Sequence, residues 1–260
     1  MYALALHFCL ASAAISQQNP SSPSTSTQAL TALQRTYSAL VGRAAITDVT
    51  LIGTVERIAG SDDETGNVTY KGLPTASSLE MTFASGNRSE TRSSNGLVSA
   101  GQWTGPDGIS HAIPSHNLFV DPVWFPTFVV ANFASYPNAA ITYVGAETRD
   151  GDAVLHLSAS QKYPDVPGDT GVLLQNLSKI EIYLDSSTFL PVAITFDSHP
   201  DDNAFENIQT EVKFSDYRTI SGAQFPFHVQ KSVNGSLALD LQFQNASLNT
   251  GVTIAQISAQ

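Results

Sequence analysis

The chain has 260 residues, with 12 Lys and Arg against 23 Asp and Glu, a formal net charge of −11. An acidic chain with so few basic residues repels phosphate, which excludes nucleic acid and an anionic membrane surface as natural partners. Charged residues are only 13% of the chain, so Ser, Thr, Asn and Gln must cover much of the surface, as is usual for exported proteins.

The N-terminus fits export. Tyr2 to Ile15 is apolar and ends in the small residues Ala11-Ser12-Ala13-Ala14. This has the form of a signal-peptide core, so residues 1–14 read as a leader cleaved near Ala13 or Ala14. The run is too short to span a bilayer, which takes about 20 apolar residues, and no later segment reaches that length. Cys9, the only cysteine, lies inside the run, so the mature chain would hold no disulfide. Residues 15–27 are rich in Ser, Pro, Gln and Thr and read as a flexible linker. Residues 28–260 then form one domain, since sheets of the kind described below commonly exceed 200 residues undivided.

That domain opens with a helix. Leu30, Leu33, Tyr37, Leu40 and Val41 recur at helical spacing, with Ser26 or Thr27 as cap and Gly42 as stop. Strands follow from Asp48. Val49, Leu51, Gly53 and Val55 alternate with Thr50, Ile52 and Thr54, and Asn67 to Lys71 pairs back across a Ser61-Asp62-Asp63-Glu64 turn. That acidic turn lacks the further oxygen ligands of a calcium loop and reads as solvated. Leu79, Met81 and Phe83 give a third apolar face. From Asn95 to Ala139 the alternation breaks. Both tryptophans and a dense apolar set lie here, punctuated by five prolines (Pro106, Pro114, Pro122, Pro126 and Pro137). Asp121-Pro122 reads as a helix cap and first helical residue, Pro126 as the stop, and Thr127 to Ser135 as a second short helix. The segment is expected to lie over the sheet as loops and short helices.

From Ala140 to Val252 one short strand follows another. Ile180, Ile182 and Leu184 alternate with Glu181, Tyr183 and Asp185; Val192, Ile194 and Phe196 do the same; so do Leu237, Leu239, Leu241 and Phe243. Period two puts one set of side chains on each sheet face. Asp150-Gly151 and Asn234-Gly235 tolerate the positive φ of two-residue hairpin turns. The expected fold is mostly β (α+β): an antiparallel sheet built by successive hairpins, with an N-terminal helix and short helices over it, which either packs on another sheet or curls around something.

No catalytic signature accompanies this pattern. There is no G-x-S-x-G elbow, phosphate-binding loop or dinucleotide glycine run. His111 and His116, with Asp107 and Asp121 nearby, have the ligand types for zinc, but Pro114 between them forbids the regular helix of an H-E-x-x-H pair. They read as polar loop histidines, with neither metal nor cofactor expected. A hydrolase using the His111/His116 region remains the competing class, and a cell-envelope sensor or scaffold with a filled core is a third. The aromatic middle segment is the best functional signal. Its rings either fill a core or line a cavity for an apolar ligand.

The order of elements, a helix, a strand meander, a loop-helix lid and further hairpins, resembles the periplasmic lipoprotein-carrier superfamily, the LolA/LolB-like proteins. The stretches that carry the likeness are Val68 to Pro74; Ser94-Asn95-Gly96 followed by Trp103; Pro126 to Ala134; the hairpins Ala140 to Ser158 and Ile180 to Phe196; and Lys213 to Arg218 with Phe225-Pro226. The resemblance implies a mostly β (α+β) fold in which a curved antiparallel sheet forms a half-open β-barrel, closed by an N-terminal helix and short lid helices. It also implies a lid held by an arginine, whose matching place here, near Lys71, carries lysine. The expected function is an exported, periplasmic, monomeric protein that is not an enzyme and binds a hydrophobic small molecule, lipid or lipoprotein acyl chain. The expected contacts are Trp103, Leu118, Phe119, Trp124, Phe125, Phe128 and Val129, each buried CH₂ contributing about 0.8 kcal/mol.

Overall fold

In a computed structural model, residues 25–94 and 99–258 are described. The stretch read as a leader, most of the stretch read as a linker and the turn expected at Asn95-Gly96 lie outside them. The chain forms β1 (Val49–Ala59), β2 (Asp62–Leu73), β3 (Ala76–Phe83), β4 (Gly86–Ser94), β5 (Ser99–Thr104) and β6 (Ser110–Ala112) in its first half. The second half adds β7 (Ala139–Arg149), β8 (Asp152–Gln161), β9 (Ile180–Asp185), β10 (Pro191–Ser198), β11 (Ile208–Ile220), β12 (Ala223–Val233) and β13 (Ser236–Leu248). All belong to one 13-stranded antiparallel sheet in the order β6-β5-β4-β3-β2-β1-β13-β12-β11-β10-β9-β8-β7. First and last strands meet in the middle, Val49 opposite Leu248.

The turn chemistry follows the sequence. Asn234 and Gly235 both have positive φ, 48° and 78°, as do Asp150 and Gly151 at 52° and 96°, the conformation a type I′ hairpin requires. The pairing of β1 with β13 slips at a bulge between Ile52 and Gly53. A Cβ on Gly53 would stand 2.1 Å from the Gln242 carbonyl oxygen, so only glycine fits this close approach. Asp48 ties the start of β1 to the chain after β13, accepting the backbone N–H of Thr250 at 2.8 Å and of Gly251 at 3.1 Å. Burial alone would raise its pKa, but those N–H donors prevail and hold it below the usual carboxylate range.

Several sequence expectations are corrected. The first hairpin turns at Gly60-Ser61, and Asp62 to Glu64 lie within β2. Glu64 is held in the ladder by Arg57 at 3.1 Å and Arg88 at 3.3 Å. The segment Asn95 to Ala139 contains two strands, β5 and β6, that its low β-propensity composition concealed. The stretch Asp121 to Phe125 is not helical. The helix α2 (Pro126–Ser135) begins at Pro126, where the missing N–H costs nothing. A further helix, α3 (Gly168–Leu177), interrupts the hairpins between β8 and β9. The first helix, α1 (Thr25–Val41), starts inside the stretch read as linker and presents a rotated face. Ala29, Leu33, Thr36 and Leu40 are buried, while Leu30 and Tyr37 are 49% and 40% exposed. Small residues on the inner face let α1 pack closely on α2, β7 and β12.

The curvature places one continuous apolar core on the concave side. It joins Leu33 and Leu40 of α1, Phe128 and Phe133 of α2, and Leu51, Tyr70, Leu157, Ile182, Ile194, Phe225 and Leu241 from across the sheet. The sheet does not close, and its edge strands β6 and β7 are consecutive in the chain. The segment joining them, a 3-10 turn at Ser115–Leu118 and then α2, must therefore cross the gap. This topology is why the lid lies where the barrel is open.

Candidate functional site: the seam under the lid

The lid is anchored on both flanks. Arg92, on the concave face of β4, donates from Nη1 to the carbonyl of Asn117 at 2.9 Å and of Val120 at 3.4 Å. Its Nε is paired with Glu90 at 2.6 Å. Burial would raise the Glu90 pKa, but Arg92 and the Lys231 ammonium hold it down. Lys231 lies 5.5 Å over the Trp124 ring, and burial lowers its pKa. On the other flank Asn117 exchanges two hydrogen bonds with the backbone of His199, at 2.8 and 2.9 Å. His116 donates from Nε2 to the Pro200 carbonyl at 2.9 Å. Lys71, near which the resemblance led us to expect a lid contact, instead pairs with Glu80 at 3.5 Å. The lid carbonyls are bound by Arg92, which sequence reading passed over because polar β4 residues look like an outward face.

Beside the lid, at the gap between the two sheet edges, is a cavity of about 550 Å³. It lies within the range of small-molecule sites, about 300–1,000 Å³. One wall is Leu118 and Phe119 of the lid; the opposite wall is Tyr163, Pro164 and Val166, from the loop after β8. Tyr136, Pro137 and Asn138, entering β7, close the end, and Ser94, Ser99, Asp121 and Gln161 supply polar groups. Phe119 and Tyr163 meet edge to face across the seam, their centroids 6.2 Å apart. Asp121 accepts hydrogen bonds on Oδ2 from Tyr136 at 3.0 Å and Asn132 at 3.1 Å. Burial pushes its pKa up, against those hydrogen bonds and the charge of Arg92. A second chamber of about 170 Å³ lies on the opposite flank of the lid, bounded by Trp103, Ile113, His116, Leu177 and Phe196.

The candidate contact residues separate into groups. Leu118 and Phe119 border the seam cavity. Trp124, Phe125, Phe128 and Val129 are buried in the core, with Phe125 wholly enclosed and its ring 5.2 Å from that of Phe225. Trp103 stands near the sheet edge, 41% exposed, stacked on His111 at 4.3 Å. Sequence reasoning missed Tyr163 and Val166. They follow a strand and precede an unforeseen helix, and Pro164 and Asp165 beside them were the only local signal.

His111 stacks on Trp103 near the sheet edge, while His116 borders the second chamber together with Glu90, Asp197 and Asp201. Among the described residues no group of three His, Cys, Asp or Glu side chains is placed to hold a metal ion. A Ser-His-Asp row exists elsewhere. Ser215 Oγ lies 3.1 Å from His228 Nδ1, and His228 Nε2 lies 3.0 Å from Asp240. The three residues come from β11, β12 and β13 on the convex face, away from the seam, where they make a polar contact across neighbouring strands.

No protein-family model matches the chain, and no curated protein matches it. Solved structures do. A DUF1329 family protein from Desulfovibrio piger superposes with a TM-score of 0.60 at 11% identity, over 90% of this chain and 98% of that one. A domain described as an outer membrane lipoprotein-sorting protein, from Vibrio parahaemolyticus, gives 0.58 at 12%, over 90% and 97%. A LolA superfamily protein from Nitrosomonas europaea gives 0.51 at 12%, over 85% and 93%. With the unclosed sheet, the N-terminal helix and the lid across the gap, these likenesses establish that the chain adopts the LolA-like fold.

Proposed function

We propose that the protein is an exported, periplasmic binding protein that holds a hydrophobic ligand, a lipid or a lipoprotein acyl chain, at the open seam of its half-barrel. The observation that supports this reading is the cavity of about 550 Å³ at the one place where the sheet fails to close. An apolar ligand there would replace water against Leu118, Phe119, Tyr163 and Val166, at about 25 cal/mol per Å² of apolar surface removed from solvent. Trp124, Phe125, Phe128 and Val129 serve as the packed floor that keeps the lid in place. The chain acts as a monomer, and none of its described helices is long and apolar enough to cross a membrane.

The test is a titration with the apolar dye 1-N-phenylnaphthylamine. The wild-type protein is expected to bind the dye and release it to a competing monoacylglycerol. Phe119→Asp, which puts a charge on the seam wall, is expected to weaken dye binding about tenfold or more while leaving the far-UV spectrum unchanged. Equal dye binding by both proteins would overturn the assignment of the ligand to the seam.

A further inference from the structure

The seam pairs apolar walls with an unusual polar group. Asp121 lies at the point where the cavity meets the lid base, and it also borders two small pouches of about 30 and 20 Å³ behind the lid. Asn132 and Tyr136 both donate to its Oδ2. Among the described residues Oδ1 receives no hydrogen bond from a side chain or backbone group. Hydroxyl and amide groups of Ser99, Tyr136, Tyr163 and Gln161 border the same space and can each donate and accept. The cationic group on the cavity wall, Lys162, is exposed and has Asp165 beside it on the same wall.

A carboxylate in a half-closed, partly apolar site repels an anionic head strongly, because the surrounding dielectric is low. It accepts a ligand hydroxyl in a charge-assisted hydrogen bond, about twice as strong as a neutral one. We propose that the seam selects neutral amphiphiles whose head carries hydroxyl groups, as a monoacylglycerol or a glycolipid does, with Asp121 as the acceptor that sets this preference. The inference rests on the reading of the seam as a ligand site and adds the chemical class of the head. The net charge of −11 acts in the same direction by disfavouring anions at long range.

Three probes with the same twelve-carbon chain separate the possibilities: glycerol monododecanoate, dodecanoate and dodecyltrimethylammonium. Each is titrated by calorimetry at neutral pH, below its micellar concentration, against the wild type, Asp121→Asn and Asp121→Leu. The wild type is expected to bind the monoacylglycerol about tenfold or more tighter than dodecanoate. Asp121→Asn is expected to gain affinity for dodecanoate and so narrow the gap. Asp121→Leu is expected to abolish the gap while still binding the chain. Equal affinity for monoacylglycerol and dodecanoate in the wild type would overturn the proposal but leave the seam as a ligand site, as would tightest binding of the ammonium probe. A gap unchanged in both variants would remove Asp121 from the account. Failure of all three probes to bind a folded wild type would sink the seam reading itself, and this proposal with it.

Discussion

At the level of single residues, similar side chains take different roles according to which side of the lid they face. Phe119 and Phe125 stand six positions apart in one aromatic segment. The first borders the seam and the second is enclosed against Phe225. Composition and spacing mark both as apolar and cannot divide them, because the division depends on contacts with Tyr163 and β12 that are remote in sequence. Asp121 was legible as a residue of interest but not in its role. Read as a helix cap, it is instead a partly buried acceptor for Asn132 and Tyr136. Its pKa is raised by burial, so folding favours the protonated form, and its contribution is fully present below the unfolded Asp value of about 3.9. That contribution is lost as pH rises through the higher folded pKa. Asp121→Asn is therefore expected to raise Tm at pH 7, each 1 kcal/mol gained being worth about 2–4 °C at this size. The difference from wild type should shrink as pH falls toward 3.9. A variant destabilised at pH 7, or a difference independent of pH, would contradict this placement of Asp121.

Among elements, legibility followed periodicity. β9, β10 and β13 carry apolar residues at every second position, and their turns hold Asn-Gly or Asp, so they were readable directly even though Tyr183 and Ala193 are buried on the other face. β5 has Ala100-Gly101-Gln102 at its centre, and a Cβ on Gly101 would stand 2.9 Å from the side-chain ends of Ile113 and Leu118, which would have to shift. Lid packing has overridden strand propensity at that point, and no local rule reveals it. The lid itself is held by few polar contacts, chiefly Arg92 with the carbonyls of Asn117 and Val120 and the exchange between Asn117 and His199. Arg92→Met keeps the apolar stem but removes those bonds and leaves Glu90 without its closest cation. It is expected to cost about 2 kcal/mol and to speed amide hydrogen exchange from 115 to 125 more than in β9 or β10. Uniform exchange across the sheet and lid in this variant would show that Arg92 does not hold the lid.

Over the whole molecule, the chain order and the sheet order explain each other. β1 pairs with β13, so the chain ends meet in the middle of the sheet, while β6 and β7 become its edges. The connection between those edges has to bridge the opening, and this converts a loop-helix segment into a lid. The expectation of a half-open barrel came from the resemblance in element order and local stretches, and the unclosed, curved sheet matches it. The size of the space under the lid did not follow from sequence, because it is what remains after Trp124, Phe125 and Phe128 have filled the centre. The concave core is solid, and the free volume is displaced to the seam.

The most direct test of the seam as a ligand site is native mass spectrometry of the protein purified without detergent from its producing cells, beside the Phe119→Asp variant. The wild type is expected to carry a noncovalent adduct of lipid mass that dissociates on collisional activation, and the variant to be largely free of it. A folded wild type that flies bare, or adducts equally abundant in both proteins, would contradict the assignment.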